Sequence, residues 1–160
     1  RDGNFLRSWG EDMFKTPHLT KHAEDWYSLF NSLGQCHRLY IHRFHSMDSC
    51  LDFYGAITGE EIDAAELLKR GERAWNMQKQ LNVRMGFGRE HDAAPEEWFK
   101  PMKMGSDEAP MMDYYKQRVV TRADTERMLD DYYDARGWDR DTGAPLPEKL
   151  RSLALQDYTI

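Results

Sequence analysis

Cysteine is nearly absent: the 160-residue chain holds two, Cys36 and Cys50, fourteen positions apart. That excludes the disulfide-dense scaffolds of small secreted domains and leads us to expect a reducing, cytoplasmic compartment. No apolar run approaches the length of a membrane span, and no secretory leader is visible at the start. Positive charge is not in excess either. Lys and Arg number 22 against 28 acids, for a net charge of −6. Nucleic-acid binding is therefore not expected, because no basic stripe is available to replace phosphate counterions. The bases that do occur sit among acids, as Lys69, Arg70 and Arg73 do beside Glu66 and Glu72. A glycine-rich phosphate loop, a nucleophile elbow and a His-Glu-x-x-His pattern are all missing. So are repeats, low-complexity tracts and internal linkers. What remains is an ordinary balance of 40% hydrophobic and 31% charged residues, long enough for one domain with a real core. The chain opens on Arg1 and reads as a piece of something longer.

What is present is helical periodicity. Residues 1–17 show no clean period and read as an entry strap with Trp9 and Phe14 as its apolar points, closed by Pro17. The spacing of Ala23, Trp26, Phe30 and Leu33, broadened by Leu29, predicts a helix from Leu19 to Leu33 with Thr20 as its cap. After Gly34 a short helical segment through His37, Leu39, Tyr40, Ile41 and Phe44 is expected. His42 and His45 lie one turn apart there without a supporting carboxylate, and read as solvated or capping groups. Ser46 or Asp48 opens a helix through Ile57 that carries Cys50 on its packing side and stops at Thr58-Gly59. Asp63 and Glu66 have capping-box spacing. The face Leu67, Leu68, Gly71, Ala74, Trp75, Gln78, Leu81 then extends that helix to about Arg84. Gly71 in its interior lowers intrinsic helicity by about 1 kcal/mol, which implies a close helix crossing.

Residues 89–122 read as loop-rich, with a short helix at Pro95 and room for one short strand. Met102, Met104, Met111 and Met112 read as adaptable packing. Thr121 or Asp124 caps a helix stopped by Gly137, Trp138 folds back on its last turn, and Pro147 opens a last short helix. The expected fold class is all-α or nearly so, an irregular multi-helix bundle with long ordered loops, with residues 1–160 as a single domain.

The stretch most open to chemistry is Asn31-Ser32-Leu33-Gly34-Gln35-Cys36. A glycine just past a helix end accommodates a left-handed backbone, and the amides beyond it are expected to face a ligand. A thiolate in such a turn suits a soft metal or an iron–sulfur cluster. A buried free cysteine in a helical core is the other reading of the same six residues.

Several motifs in order resemble one known family. The hexapeptide is similar to the Asp-x-x-Gly-Leu-Cys motif of tungsten-dependent aldehyde ferredoxin oxidoreductases. Ile57-Thr58-Gly59-Glu60 resembles the Thr-Gly before that family's long helix. Glu72-Arg73 and Leu81-Asn82-Val83-Arg84-Met85-Gly86 resemble its Glu-Arg followed by Phe-Asn-x-Arg-x-Gly. Arg89-Glu90-His91-Asp92 with Pro95 is similar to its Arg-x-Asp-Asp-x-Leu-Pro segment. Met128 to Tyr133 and Arg136-Gly137-Trp138-Asp139 look like its closing segment.

The resemblance implies the C-terminal portion of a longer enzyme that oxidises an aldehyde to an acid and passes electrons to ferredoxin. It implies a tungsten bis-pterin and a [4Fe–4S] cluster in the full enzyme, with Cys36 as one cluster ligand and Asn31, Gly34 and Gln35 against the pterin. The expected partners are the N-terminal part of the same enzyme, ferredoxin and a second copy in a homo-oligomer. No residue is assigned to the catalytic step. Asn31 stands where aspartate is usual, and Gln35 where leucine is. These departures leave room for a divergent branch acting on an aromatic acyl-coenzyme A, or for a non-catalytic helical interaction module. Four thiolates hold the usual cubane and two are present, so the chain alone is expected to hold no complete cluster and to be inactive. Iron and tungsten analysis of the purified 160-residue chain should give sub-stoichiometric metal; stoichiometric cluster on it would overturn the expectation.

Overall fold

The computed structural model describes residues 16–36, 38, 46–105, 107–113 and 116–158. The expected helical segment from His37 to Phe44 and the entry strap lie mostly outside them. Five α-helices are described: α1 Thr16–Ser32, α2 Met47–Thr58, α3 Ala64–Arg84, α4 Arg122–Arg136 and α5 Pro147–Ser152. Short 3-10 turns occupy Arg89–His91, Glu96–Phe99 and Gln156–Tyr158. In place of one strand there is a pair, β1 Met102–Met104 antiparallel to β2 Asp107–Ala109, with Lys103 opposite Glu108. No described helix is long and apolar enough to cross a membrane. The fold is mostly helical, as the periodicity predicts.

Local chemistry sets the helix ends. α1 begins at Thr16, one turn earlier than expected, and Pro17 opens it rather than closing a strap. Proline suits a first turn because its missing N–H has no intrahelical partner there. Ser46 caps α2 by accepting from the Ser49 amide at 3.2 Å. Asp63 caps α3 by accepting from the Glu66 amide at 2.8 Å. The reciprocal capping box forms at α4 instead. There the Asp124 amide donates to Thr121 Oγ1 at 3.3 Å, and the Thr121 amide donates to Asp124 Oδ2 at 2.9 Å. The Thr121 amide and hydroxyl, both donating to Asp124 Oδ2, aided by Arg118, hold the Asp124 carboxyl far below the usual carboxylate range.

α1 packs chiefly on α3 and next on α4. The closest point is at Gly71, where an added Cβ would stand 2.3 Å from the Asp25 carbonyl oxygen and 3.1 Å from Leu29 Cβ. Only glycine lets the two backbones meet there. Around the crossing lie Trp26, Leu29, Phe30, Cys50 and Leu67, all buried, with Trp26 stacked on Phe30 at 5.3 Å between ring centroids. Each such side chain contributes roughly 1.5–3 kcal/mol of burial. A second cluster joins Leu150, Leu153 and Leu155 of the C-terminal segment to Met77 of α3.

The buried face of α3 departs from its apolar pattern. Leu67 and Gly71 are buried, but further along so are Asn76, Lys79 and Gln80, while Leu81 is 52% exposed. The reason is the partner surface: Asn76 accepts from Trp138 Nε1 at 2.8 Å, and Lys79 pairs with Asp92. Glu72 ties three helices together, meeting Lys21 of α1 and Lys149 of α5 at 3.1 Å each. Burial alone would raise its carboxyl, but Lys21 and Lys149 together hold it below its ordinary value.

Two expectations follow for stability. Gly71→Ala should destabilise by at least about 1–3 kcal/mol through overpacking. Gly55→Ala, where the new Cβ makes only an ordinary 3.5 Å contact, should stabilise by up to about 1 kcal/mol; paired urea titrations compare them. The depressed Glu72 carboxyl adds stability above its ordinary value of 4.5, and that contribution is lost as pH falls through its folded value. Glu72→Gln should therefore be less stable than the parent at neutral pH and converge on it in acid, as thermal melts across the pH range would record.

Candidate functional site

The turn that ends α1 gathers the residues singled out in the sequence. Gly34 takes the left-handed conformation, φ +69°. Its N–H donates to the Asn31 carbonyl at 3.1 Å, and the Gln35 N–H donates to the Phe30 carbonyl at 2.8 Å. This is the Schellman arrangement, in which the turn satisfies the helix's own last carbonyls. The amides of Gly34 and Gln35 are thus engaged within the turn, which corrects the expectation that they are free to face a ligand. The side chains differ. Asn31 is exposed. Gln35 is half-buried, and its Oε1 is enclosed without a hydrogen-bond partner among the described residues.

Cys36 is an exposed free thiol, whereas Cys50 is fully buried in the α1–α3 core and burial pushes its thiol up. Cys50 thus takes the core position expected of it, and the alternative reading of Cys36 as a buried core cysteine does not match its exposure. Arg38 is exposed, and His37, His42 and His45 lie outside the described residues. Among the described residues, no three His, Cys, Asp or Glu side chains converge to hold a metal ion.

A second constellation, not foreseen from the sequence, lies between α1, α3 and α4. Arg136 is wholly buried. Its guanidinium donates to Asp25 Oδ1 and Glu24 Oε2, each at 2.5 Å, and to the Lys21 carbonyl at 3.1 Å. Its Nε donates to the Tyr132 hydroxyl at 3.1 Å, which in turn donates to Glu24 at 2.6 Å. The rings of Trp75, Tyr132 and Trp138 stand 5.4–5.9 Å from the guanidinium carbon, within cation–π range. Burial alone would lower the Arg136 pKa; Tyr132, Asp25 and Glu24 outweigh it and keep the group charged.

Beside it, Lys79 pairs with Asp92 under the rings of Tyr133 and Trp138, and the Tyr133 hydroxyl donates to Asp92 at 2.5 Å. Burial, with Asp92 close by, pushes the Tyr133 phenol well above its ordinary range, so it stays a donor. Arg89 extends the lattice to Glu126 at 3.1 Å and Asp130 at 2.7 Å. Asp130 is thus paired. Over this lattice opens a cleft of about 580 Å³, with Trp75, Lys79, Asp92, Trp98, Leu129 and Tyr132 among its walls.

Sequence reasoning missed these residues because helical charges are usually solvated. The available signal was the number of aromatic side chains at helical spacing from Glu24, Lys79 and Arg136. The structure brings Asn31, Gly34, Gln35 and Cys36 together in one turn; the cleft's lining includes none of them.

Comparison with known proteins then bears on what this architecture is. Residues 7–155 match the family model described as aldehyde ferredoxin oxidoreductase, domains 2 and 3. A tungsten-containing aldehyde ferredoxin oxidoreductase of Pyrococcus horikoshii is 30% identical over 112 residues, covering 69% of this chain and 17% of that protein. Its counterparts in Pyrococcus abyssi and Pyrococcus furiosus are 29% and 28% identical over 135 residues, covering 84% of this chain and 20% of each relative. The chain therefore spans about a fifth of the length of the curated relatives it matches. No solved structure matches it. With the family model covering nearly the whole chain and the turn, caps and closing segment in the expected order, this chain belongs to the aldehyde ferredoxin oxidoreductase family.

Proposed function

We propose that this chain serves as the C-terminal helical part of a tungsten bis-pterin, iron–sulfur oxidoreductase that converts an aldehyde to its acid and delivers the electrons to ferredoxin. The observation that carries the reading is Cys36: a free, exposed thiol directly after a hydrogen-bonded helix-ending turn. The family match and the tungsten named for the relatives support it.

The donor set limits what the chain can hold. One exposed thiolate fits one corner of a [4Fe–4S] cluster, and Cys50, fully buried, does not fit a second. The remaining ligands would come from elsewhere in the enzyme. Asn31 and the Gln35 carboxamide would meet the pterin through their side chains, since the Gly34 and Gln35 amides are spent in the turn. Gln35 Oε1, enclosed and without a partner among the described residues, is suited to accept a ring N–H. Asn31 keeps an acceptor oxygen but lacks the charge of an aspartate, so its bond to a pterin would be the weaker kind. When bound, the tungsten pterin supplies two-electron chemistry and the cluster supplies one-electron transfer. This chain's own part is to fix the thiol's position and to cover that region with packed helices.

A second reading, a helical interaction module without metal, is favoured by the engaged turn amides. One experiment separates the two. In the intact enzyme carrying this chain, Cys36→Ala should lower iron content and abolish the reduced cluster's paramagnetic signal. Cys50→Ala should change stability while leaving both in place. Full iron and an unaltered signal in Cys36→Ala would leave the module reading standing.

A further inference from the structure

The cleft over the Arg136 lattice belongs to none of the chemistry assigned to the Cys36 turn. At about 580 Å³ it has the size of a small-molecule site. Its walls come from α1, α3, α4 and the segment 92–98, so it is pre-formed by packed elements and not by a single loop. Trp75 and Trp98 give it aromatic surface, and Trp98 is 52% exposed although it is the largest apolar side chain on that rim.

The charge pattern is more informative. Four charged side chains line the cleft: Glu24, Lys79, Asp92 and Glu126. Glu24 is held by Arg136 and Tyr132, Lys79 and Asp92 hold each other, and Glu126 is held by Arg89. Each already has a partner, so an entering ion must compete with an existing ion pair for the compensation that its lost hydration requires. Uncharged polar groups, by contrast, stand exposed along the lining: Thr20 on α1 and Gln78 and Asn82 on α3.

We infer that this cleft binds an uncharged, planar aromatic molecule, its ring against Trp75 and Trp98 and its polar group within reach of the amides of Gln78 and Asn82. The site needs neither Cys36 nor any cofactor, so it stands or falls apart from the metal chemistry proposed above. Ring stacking and apolar burial provide the affinity, and the rim amides orient the polar end.

Calorimetric titration of the 160-residue chain with three matched probes tests this: 2-naphthamide, 2-naphthoate and 2-naphthylmethylammonium. The neutral amide should bind saturably in about the micromolar-to-millimolar range. Both ions should bind at least about tenfold more weakly. Trp98→Ala should remove the binding while its thermal melt stays within a few degrees of the parent, because the side chain is half-exposed. Gln78→Ala should weaken the amide while leaving naphthalene itself unaffected. Ile57→Ala, remote in sequence from the cleft and 83% exposed, should change nothing. Equal binding of all three probes, undiminished binding in Trp98→Ala, or no saturable binding by the folded chain would each overturn the inference.

Discussion

The buried guanidinium of Arg136 holds α1 and α4 in register. Arg136 sits at the end of α4 with no solvent contact, and its guanidinium is shared by two acids and a carbonyl of α1. Taking away either partner would leave charge stranded in a low-dielectric interior, a loss of about 3–5 kcal/mol in comparable pairs. Such a group contributes less to net stability than to uniqueness. Apolar faces slide past one another at little cost, whereas a planar fork of donors accepts only one placement of Asp25 and Glu24. The rings of Trp75 and Trp138 enclose the ion without taking its donors, while the Tyr132 hydroxyl accepts from Nε.

From that constraint the rest of the architecture follows. With α1 pinned to α4, its other side can approach α3 until Asp25 and Gly71 touch backbone to side-chain-less backbone. The same residue, Asp25, therefore serves both contacts, with its carboxylate on Arg136 and its carbonyl against Gly71. Glu72, one residue on, binds Lys21 and Lys149 and closes the α1–α3–α5 junction. The Schellman turn at Gly34 begins where this helix ends, and Cys36 follows it, exposed. α4 ends in the same way at Gly137, whose N–H and that of Trp138 return to the Asp134 and Tyr133 carbonyls. That return places Trp138 over Lys79 and against Asn76, and so builds the floor beneath the cleft.

Much of this could be read from the residues. Ser46, Asp63 and Thr121 mark helix starts, and Gly59 and Gly137 mark stops, because caps are satisfied by atoms within four residues of one another. Gly71 announced a close crossing, and Cys50 a core position, by side-chain size and polarity alone. The motif order from Asn31 to Trp138 was enough to suggest the family. The first turn of α1 was misplaced because Pro17 serves equally well as an end or a beginning, and only the neighbours decide. The free amides expected at Gly34 and Gln35 were not free, because the turn's own carbonyls are nearer than any ligand.

Local sequence thus determined the helical class, most helix ends and the position of one thiol just past a helix-ending turn; that this thiol is exposed came from the structure. These depend on short-range hydrogen bonds and on the period of the apolar residues. Tertiary structure alone decided that Lys79, Asn76 and Arg136 turn inward, that Leu81 turns out, and that paired charges floor the cleft. The physical reason is that a charged side chain's destination depends on whether an opposite charge waits for it. Asp25 lies 111 residues from Arg136 along the chain, a separation no local pattern can bridge.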